Sequence, residues 1–354
     1  MRWIVLGFAL LSGFTACAQS TPNEISKADR FAVEQGLRVI RQSQLPDGAL
    51  RMRGAGDEVK IIPYFSNFAA MALLAGNQLE DVERVRRWLD WYVSHQEENG
   101  IIYDYFGTRA SYSSKGTCDS TDSYASTFIM TLWRYQQASQ APLEPKFIEA
   151  AALALQAIEE VVQSDGLTIA KPDYAIKYLM DNTEVYQGLV EGELLFKSAG
   201  RDKEAACARR MAKRIAKSFS IFWSKEESCF AYGADMNGVL LSGFSKPYPH
   251  GLAQLFALAH CIPAPEGLWD RVNKTFEPDD DGMPAERWLL AATRCGDEKS
   301  ISRFQAETRS ALRGFTAENI QIHRPAIAIL ALVDGPVRFP DVPLQKAFQP
   351  VDRR

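Results

Sequence analysis

Apolar residues recur at helical spacing through almost the whole chain, and they divide it into twelve segments. Phe31, Val33, Leu37 and Ile40 mark the first, Phe65 to Leu74 the second, and Val82, Val85, Trp88, Leu89 and Tyr92 the third. Tyr124, Phe128, Leu132 and Tyr135 line a fourth. Phe147 to Val162 is a fifth, Val185 to Phe196 a sixth, and Glu204 to Trp223 a seventh. The eighth spans Gly251 to Cys261. Shorter segments follow at Leu268–Thr275, Arg287–Thr293, Ser300–Leu312 and Pro325–Val333. Helix-ending signals punctuate them: Gly76-Asn77, Pro142, Gly200 and Pro263.

The joints alternate. After each even segment the chain turns within a few residues. After each odd one comes a turn signal and a longer stretch: Asp47-Gly48, Asn99-Gly100, Asp165-Gly166, Asn237-Gly238, Asp281-Gly282 and Arg313-Gly314. Short β-like runs flank several of these signals, such as Ile101-Ile102-Tyr103 and Cys229 to Tyr232, and predict small hairpins over one rim. Their spacing is too uneven for a solenoid of fixed period.

The first residues have another character. Arg2, the apolar run Ile4 to Phe14, and Ala16-Cys17-Ala18 have the layout of a secretory signal, too short for a membrane span. Phe14-Thr15-Ala16-Cys17 also resembles a lipobox, with Phe where Leu is usual, so a lipidated Cys17 would anchor the chain to a membrane. The expected division is a signal at 1–18, one helical domain over 19–340, and a tail at 341–354. The net charge of −4, with no polybasic run, argues against nucleic acid as a partner. Six cysteines, no CxxC or HExxH motif and four histidines predict no metal site, and no glycine-rich phosphate loop suggests a cofactor. Without Cys17, five cysteines remain, so at least one thiol of the exported chain lacks a disulfide partner.

Six helix pairs joined alternately by short and long loops resemble the (α/α)6 toroid of the six-hairpin glycosidases. The resemblance is architectural and covers nearly the whole chain after the signal. It implies an all-α toroid of six helical hairpins, with short β-like excursions in long loops that gather around a central cleft. The same toroid serves hydrolases, polysaccharide lyases and sugar epimerases, so the reaction must be argued from the site.

Ten of the twelve tyrosines fall in or just after the four longest joints. Tyr64, Tyr103, Tyr105, Tyr124, Tyr178, Tyr186 and Tyr248 are the candidate substrate-binding set, because aromatic faces stack on sugar C–H faces and phenols bond hydroxyls. Tyrosine also suits β-like segments for purely structural reasons.

Two polar clusters open expected inner helices. In Cys118 to Ser126, Asp119 and Asp122 stand three apart, close enough for mutual repulsion to raise one pKa, as a general acid requires. Capping is the structural alternative. In Lys177 to Tyr186, Asp181 and Glu184 have capping-box spacing. The functional reading makes Asp181 an ionised general base beside Glu184, Tyr178 and Tyr186. With the Asp119/Asp122 pair as acid, the layout resembles an inverting hydrolase.

Weaker candidates are His250, as a substrate ligand or a lyase base, Glu286, and Asp57-Glu58 on the rim. Asp279 to Gly282 reads as a solvated turn. Arg51, Arg53, Lys60, Arg109, Lys115, Lys171 and Lys177 also fall in the long joints and would suit an acidic polysaccharide. The expected function is an extracytoplasmic glycoside hydrolase acting on a poly- or oligosaccharide. The alternatives are a polysaccharide lyase and a non-catalytic sugar-binding or assembly lipoprotein.

Overall fold

In a computed structural model the described residues are 27–260, 262–278 and 283–333. The signal region with Cys17, the Asp279–Gly282 turn, Cys261 and the 341–354 tail lie outside them. Among the described residues the twelve expected segments are all helical: α1 (Lys27–Gln42), α2 (Pro63–Ala75), α3 (Leu79–His95), α4 (Thr121–Ser139), α5 (Pro145–Val161), α6 (Leu179–Ser198), α7 (Asp202–Ser218), α8 (Leu252–Ala259), α9 (Leu268–Thr275), α10 (Ala285–Cys295), α11 (Glu298–Gly314) and α12 (His323–Val333).

The even helices form an inner ring. Each packs on the next even one, from α2 through α4, α6, α8 and α10 to α12, and α12 closes the circle against α2. The odd helices lie outside and brace their neighbours, α3 against α2 and α4, α5 against α4 and α6, α11 against α10 and α12. Position in the ring explains the two kinds of sequence pattern. Outer α7 buries Ala205, Ala208, Met211, Ala212 and Ile215 and turns Arg209, Arg210, Lys213 and Lys217 to solvent. Inner α2 and α4 are walled on several sides, so Ser66 to Leu74 and Thr121 to Leu132 are buried without a break. Helices α4 and α6 approach closely, and a Cβ at Gly188 would stand 2.7 Å from Ser126 backbone oxygen.

The long joints are stitched together on one rim. Strand β1 (Glu58–Ile61) pairs antiparallel with β2 (Tyr105–Thr108), and β2 with β3 (Tyr112–Ser114). β4 (Lys177–Tyr178) pairs with β7 (Gly233–Ala234), which pairs with β8 (Leu240–Leu241). The remaining hairpin joins β5 (Trp223–Ser224) to β6 (Cys229–Phe230). The Cys229 run is thus a strand over part of its length. The Ile101–Tyr103 run is not, and the hairpin there forms a few residues later.

Three of the turn signals share one job. At Gly48, Gly100 and Gly166 the backbone has φ of 101°, 82° and 96°. The preceding Asp47, Asn99 and Asp165 side chains each accept the N–H two residues on, at 3.1 Å. A Cβ at Gly48 would meet Arg87 oxygen at 2.3 Å, one at Gly100 would meet Leu153 oxygen at 2.0 Å, and one at Gly166 the Arg214 side chain at 3.0 Å. Each glycine therefore lets its turn lie against the next outer helix, α3, α5 or α7, and passes the rim from one hairpin to the next. Arg313-Gly314 is different: Gly314 is the last residue of α11 and has no left-handed φ.

Candidate active site

The rim gathers the N-terminal ends of α2, α4 and α6. Helix α4 starts at Ser120, whose hydroxyl accepts the Ser123 N–H at 3.2 Å, so the cap is neither Asp119 nor Asp122. Asp122, in the first turn, is fully buried. One of its oxygens accepts Ser120 Oγ and Ser123 N, both at 2.8 Å, and the other accepts Thr168 Oγ1 at 2.6 Å. Thr168 comes from the α5–α6 joint, and Ala170 of the same joint accepts the Thr121 N–H at 2.6 Å. Burial pushes Asp122 up to about 6 against the pull of those hydrogen bonds.

Helix α6 begins at Leu179, six residues before the apolar pattern predicts, and its cap position is Tyr178, with no side-chain bond. The capping box expected for Asp181 and Glu184 does not form. Instead Asp181 sits in the first turn, part-exposed, and its carboxyl makes no side-chain hydrogen bond among the described residues, only one with its own backbone N–H. Burial raises its pKa well above the usual carboxylate range, and Asp122, Glu184 and Asp119 raise it further. The pairing differs from the one expected from spacing along the chain. The mutually repelling carboxylates are Asp122 and Asp181 across the α4–α6 contact, rather than Asp119 and Asp122, because Asp122 turns inward while Asp119 is exposed. Burial and like charge favour the neutral form of Asp181, against the helix N-terminus, which favours the ionised form a base would need.

Glu184, one turn below Asp181 on the same face, is buried and accepts Tyr64 Oη at 2.6 Å. Burial carries it up to about 7, with the Tyr64 hydrogen bond and Arg287 pulling back. Tyr64 stacks on Tyr124 with ring centroids 6.0 Å apart, and Tyr124 Oη donates to Asp104 at 2.9 Å. Asp104 was not singled out from sequence, although it stands between Tyr103 and Tyr105. Burial raises it to about 6. On the far side of the rim, Tyr174 and Tyr178 stack at 6.4 Å with their hydroxyls 3.1 Å apart. Tyr248 is 58% exposed there and feels both Asp119 and Asp181. Tyr64, Tyr124, Tyr178 and Tyr248 are thus placed about the acids.

Three of the tyrosines are elsewhere. Tyr105 lies edge-on to Trp91 and His95 at 5.1 Å each and fastens the rim sheet to α3. Tyr186 is two residues beyond Glu184, roughly 200° around the helix, on the face turned away from the axis. Tyr103 is part-buried against the core. Glu286 is fully buried and ion-paired with Arg324 at 2.9 Å, so it offers no carboxylate to the cleft. His250 stacks on Tyr232 at 5.6 Å, and its Nδ1 accepts the Ser245 and Lys246 N–H groups, both at 3.3 Å. Burial lowers its pKa, and with Nδ1 occupied as acceptor the proton of the neutral ring sits on Nε2. That leaves no lone pair for the base a lyase needs.

The basic residues of the joints are mostly committed. Arg51 is buried and donates to the carbonyls of Gly54, Gly56 and Glu58; Arg109 donates to Gly54 and Gly56. Arg53 donates to Glu318 oxygen and Lys171 to Cys118 oxygen. Lys177 pairs with Asp165 at 2.5 Å. Lys60 and Lys115 alone are left on the rim, flanking the Phe106 ring at 5.8 and 5.0 Å. Asp57 and Glu58 are exposed nearby. No group of three or more His, Cys, Asp or Glu among the described residues is placed to hold a metal ion.

The ring is an (α/α)6 toroid of six helical hairpins, and solved structures share that fold. The chain is similar to an α-amylase from Clostridium perfringens (TM-score 0.60, 10% identity, covering 87% of this chain and 99% of that one). It is similar to a β-1,3-1,4-glucanase from Paenibacillus (0.62, 9%, 88% and 93%). A third neighbour is an inactive variant of an α-1,6-mannanase from Salegentibacter in complex with α-1,6-mannotetrose (0.55, 9%, 86% and 97%). At such identities the likeness fixes the fold and leaves the chemistry to the residues. No protein-family model and no curated protein sequence matches the chain.

Proposed function

We propose that this chain is an exported glycoside hydrolase that cuts a poly- or oligosaccharide in the rim cleft, with Asp181 as general acid and Asp119 as general base. One observation carries the assignment. Asp181 is a part-exposed carboxyl with no side-chain hydrogen bond or ion pair among the described residues, and burial, Asp122 and Glu184 favour its neutral form against the pull of its own backbone N–H. Such a group can protonate a leaving glycosidic oxygen near neutral pH. Asp119 is exposed at the end of the loop that leads into α4, where a water molecule can reach it. Removing that water's proton as it attacks the anomeric carbon completes an inverting displacement: the C–O bond to water forms, the glycosidic C–O bond breaks, and the Asp181 proton goes to the leaving oxygen. Asp122 touches neither partner and acts by raising Asp181. Tyr64, Tyr124, Tyr178 and Tyr248 supply ring faces and hydroxyls for sugar units.

Export rests on the Ile4–Phe14 and Ala16-Cys17-Ala18 pattern. The N-terminus of the native protein, read by mass spectrometry, should begin at Cys17 or Gln19, and an intact Met1 would refute export. The hydrolase reading is tested by incubating purified protein with a panel of neutral and acidic polysaccharides. New reducing ends are expected, with no ultraviolet absorbance of an unsaturated sugar. Binding without any bond cleavage would favour the sugar-binding alternative, and the chromophore would favour a lyase.

A further inference from the structure

The outer wall of the ring carries a feature that neither the core nor the cleft uses. On α7 the side chains of Arg209, Arg210, Lys213, Arg214 and Lys217 are all exposed. With Ala206 they line one shallow groove on the outside of the ring. From Arg209 to Lys217 the row is roughly 12 Å long. The whole chain has a net charge of −4, so the row is a local concentration and not the general tone of the surface. The acids of α7, Asp202 and Glu204, are confined to its first turn.

That spacing works against the helix. Arg209 and Lys213, Lys213 and Lys217, and Arg210 and Arg214 stand four residues apart, where like charges repel. Two other outer helices do the opposite. In α1, Glu34 stands four residues from both Arg30 and Arg38, and in α3, Glu80, Glu83 and Asp90 stand four from Arg84, Arg87 and Arg86. Neighbouring elements relieve little of the α7 charge. Arg209 reaches Glu193, and Arg210 reaches Glu159, only at 3.7 Å, and Arg210 also donates to Cys207 Sγ at 3.2 Å. Arg214 donates to the Gln163 and Ser164 carbonyls at 3.0 and 3.2 Å. Lys213 and Lys217 make no side-chain hydrogen bond or ion pair among the described residues. Exposed apolar side chains bracket the row: Leu194, next in sequence to Glu193, and Ile221, four residues past Lys217.

We propose that the outer face of α7 is a docking surface for an anionic phospholipid membrane, with its five cations over the headgroups and Leu194 and Ile221 at the margins of the contact. Clusters of about four to eight Lys or Arg on an amphipathic helix hold proteins at such surfaces, each cation adding to the attraction. Charge alone would also suit a soluble polyanion. The apolar residues at both ends favour a lipid surface, which takes up charge and hydrocarbon together, whereas a polyanion leaves the hydrocarbon in water. The rim cleft belongs to the inner helices and is not covered by this docking. The surface is independent of any acyl group at Cys17 and stands whether or not the chain is a hydrolase.

The test is co-sedimentation of the full mature chain, carrying no acyl group, with vesicles of phosphatidylcholine alone or of phosphatidylcholine with phosphatidylglycerol. At low salt the chain should bind the anionic vesicles and not the neutral ones. At about 1 M salt, where the Debye length is about 3 Å, binding should be lost. Lys213→Glu should weaken binding by about twentyfold, roughly fivefold per unit of charge. The same substitution sets an acid four residues from both Arg209 and Lys217, so the variant should melt slightly above wild type, which separates lost binding from a folding defect. Lys299→Glu, on the outer helix α11, changes the net charge equally and should bind as wild type does. Should Lys213→Glu fail to fold, Lys213→Gln should still weaken binding by about fivefold. No binding at low salt, equal binding to neutral vesicles, unchanged binding in the Lys213 variants, an equal loss in Lys299→Glu, or tighter capture by soluble polygalacturonate than by anionic vesicles would overturn the proposal.

Discussion

Glu184, near the start of α6, and Glu286, at the start of α10, are buried acids on two different arcs of the inner ring, and both are pushed up by burial. Their partners differ. Glu286 meets the Arg324 guanidinium at 2.9 Å and is closed off. Glu184 meets the neutral Tyr64 hydroxyl, and beside it stand Asp181 and Asp122, with no ion pair among the described residues and only the charge of Arg287 acting on it without a bond. On the α10–α12 arc a buried acid is compensated by charge and serves the fold. On the α4–α6 arc the acids have no ion-pair partner among the described residues, which raises their proton affinity at a cost to stability. A cluster kept in that state by the fold is where acid chemistry is to be sought.

The largest expected effect comes from breaking the compensated side. Arg324→Met leaves Glu286 buried and unpaired, and should destabilise by about 3 kcal/mol in urea unfolding. A change under about 0.5 kcal/mol, the range of ordinary surface substitutions, would mean that the pair is not what holds that arc together.

Next is the side without an ion pair among the described residues. Asp181→Asn and Asp119→Asn should each lower kcat by about 10²-fold or more on whichever polysaccharide the panel identifies, with melting temperatures close to wild type. Near-normal turnover in Asp181→Asn would remove it as the acid.

A smaller effect has the opposite sign in stability. Glu184 has a folded pKa of about 7, above its unfolded value. A raised carboxyl binds its proton more tightly when folded, so stability is lost as pH rises from the unfolded pKa to the folded one. Glu184→Gln keeps an acceptor for Tyr64 and removes that loss. It should stabilise by about 1–2 kcal/mol at pH 7.5 and by almost nothing at pH 4. Equal melting curves at both pH values would show that the carboxyl is not proton-linked to folding.

Sequence periodicity carries most of the fold, because outer helices are amphipathic and their long joints announce themselves with Asp-Gly and Asn-Gly. The site is less legible, for reasons visible in particular residues. The apolar pattern starts α6 six residues late because Leu179 to Glu184 mixes polar and apolar side chains where an inner helix faces both a cleft and a core. The Asp119/Asp122 pairing follows from spacing along one chain, whereas the partner of Asp122 comes from α6, a contact that close packing at Gly188 makes possible. Gly188 and Gly192, one turn apart, were the available signal for that approach. Tyr105 and Tyr186 could not be told from cleft tyrosines without knowing which face of each element looks inward. Asp104 gave no cue beyond its place between two tyrosines.

The finest test asks whether Asp122 and Asp181 truly work as a pair. Asp181 is raised first by burial and next by Asp122. A general acid must be protonated, so activity falls as pH rises through its pKa, and that fall is the alkaline limb of the pH profile. Asp122→Asn removes a neighbouring negative charge, which makes ionising Asp181 easier and lowers its pKa. The alkaline limb of kcat/KM should therefore move to lower pH, by about 0.5–1 unit for a nearby charge in a partly solvated cleft. The substitution also alters hydrogen bonds to Ser120, Ser123 and Thr168, so some loss of rate at every pH is expected. A purely structural loss scales the whole profile down and leaves the limb where it was. Thr168→Val separates the two further. It takes one stabilising hydrogen bond from the Asp122 carboxylate, favours its neutral form, and should move the limb the same way by a smaller step. If the limb stays fixed in both variants, the two aspartates titrate independently, and the contrast between the two arcs loses its link to catalysis.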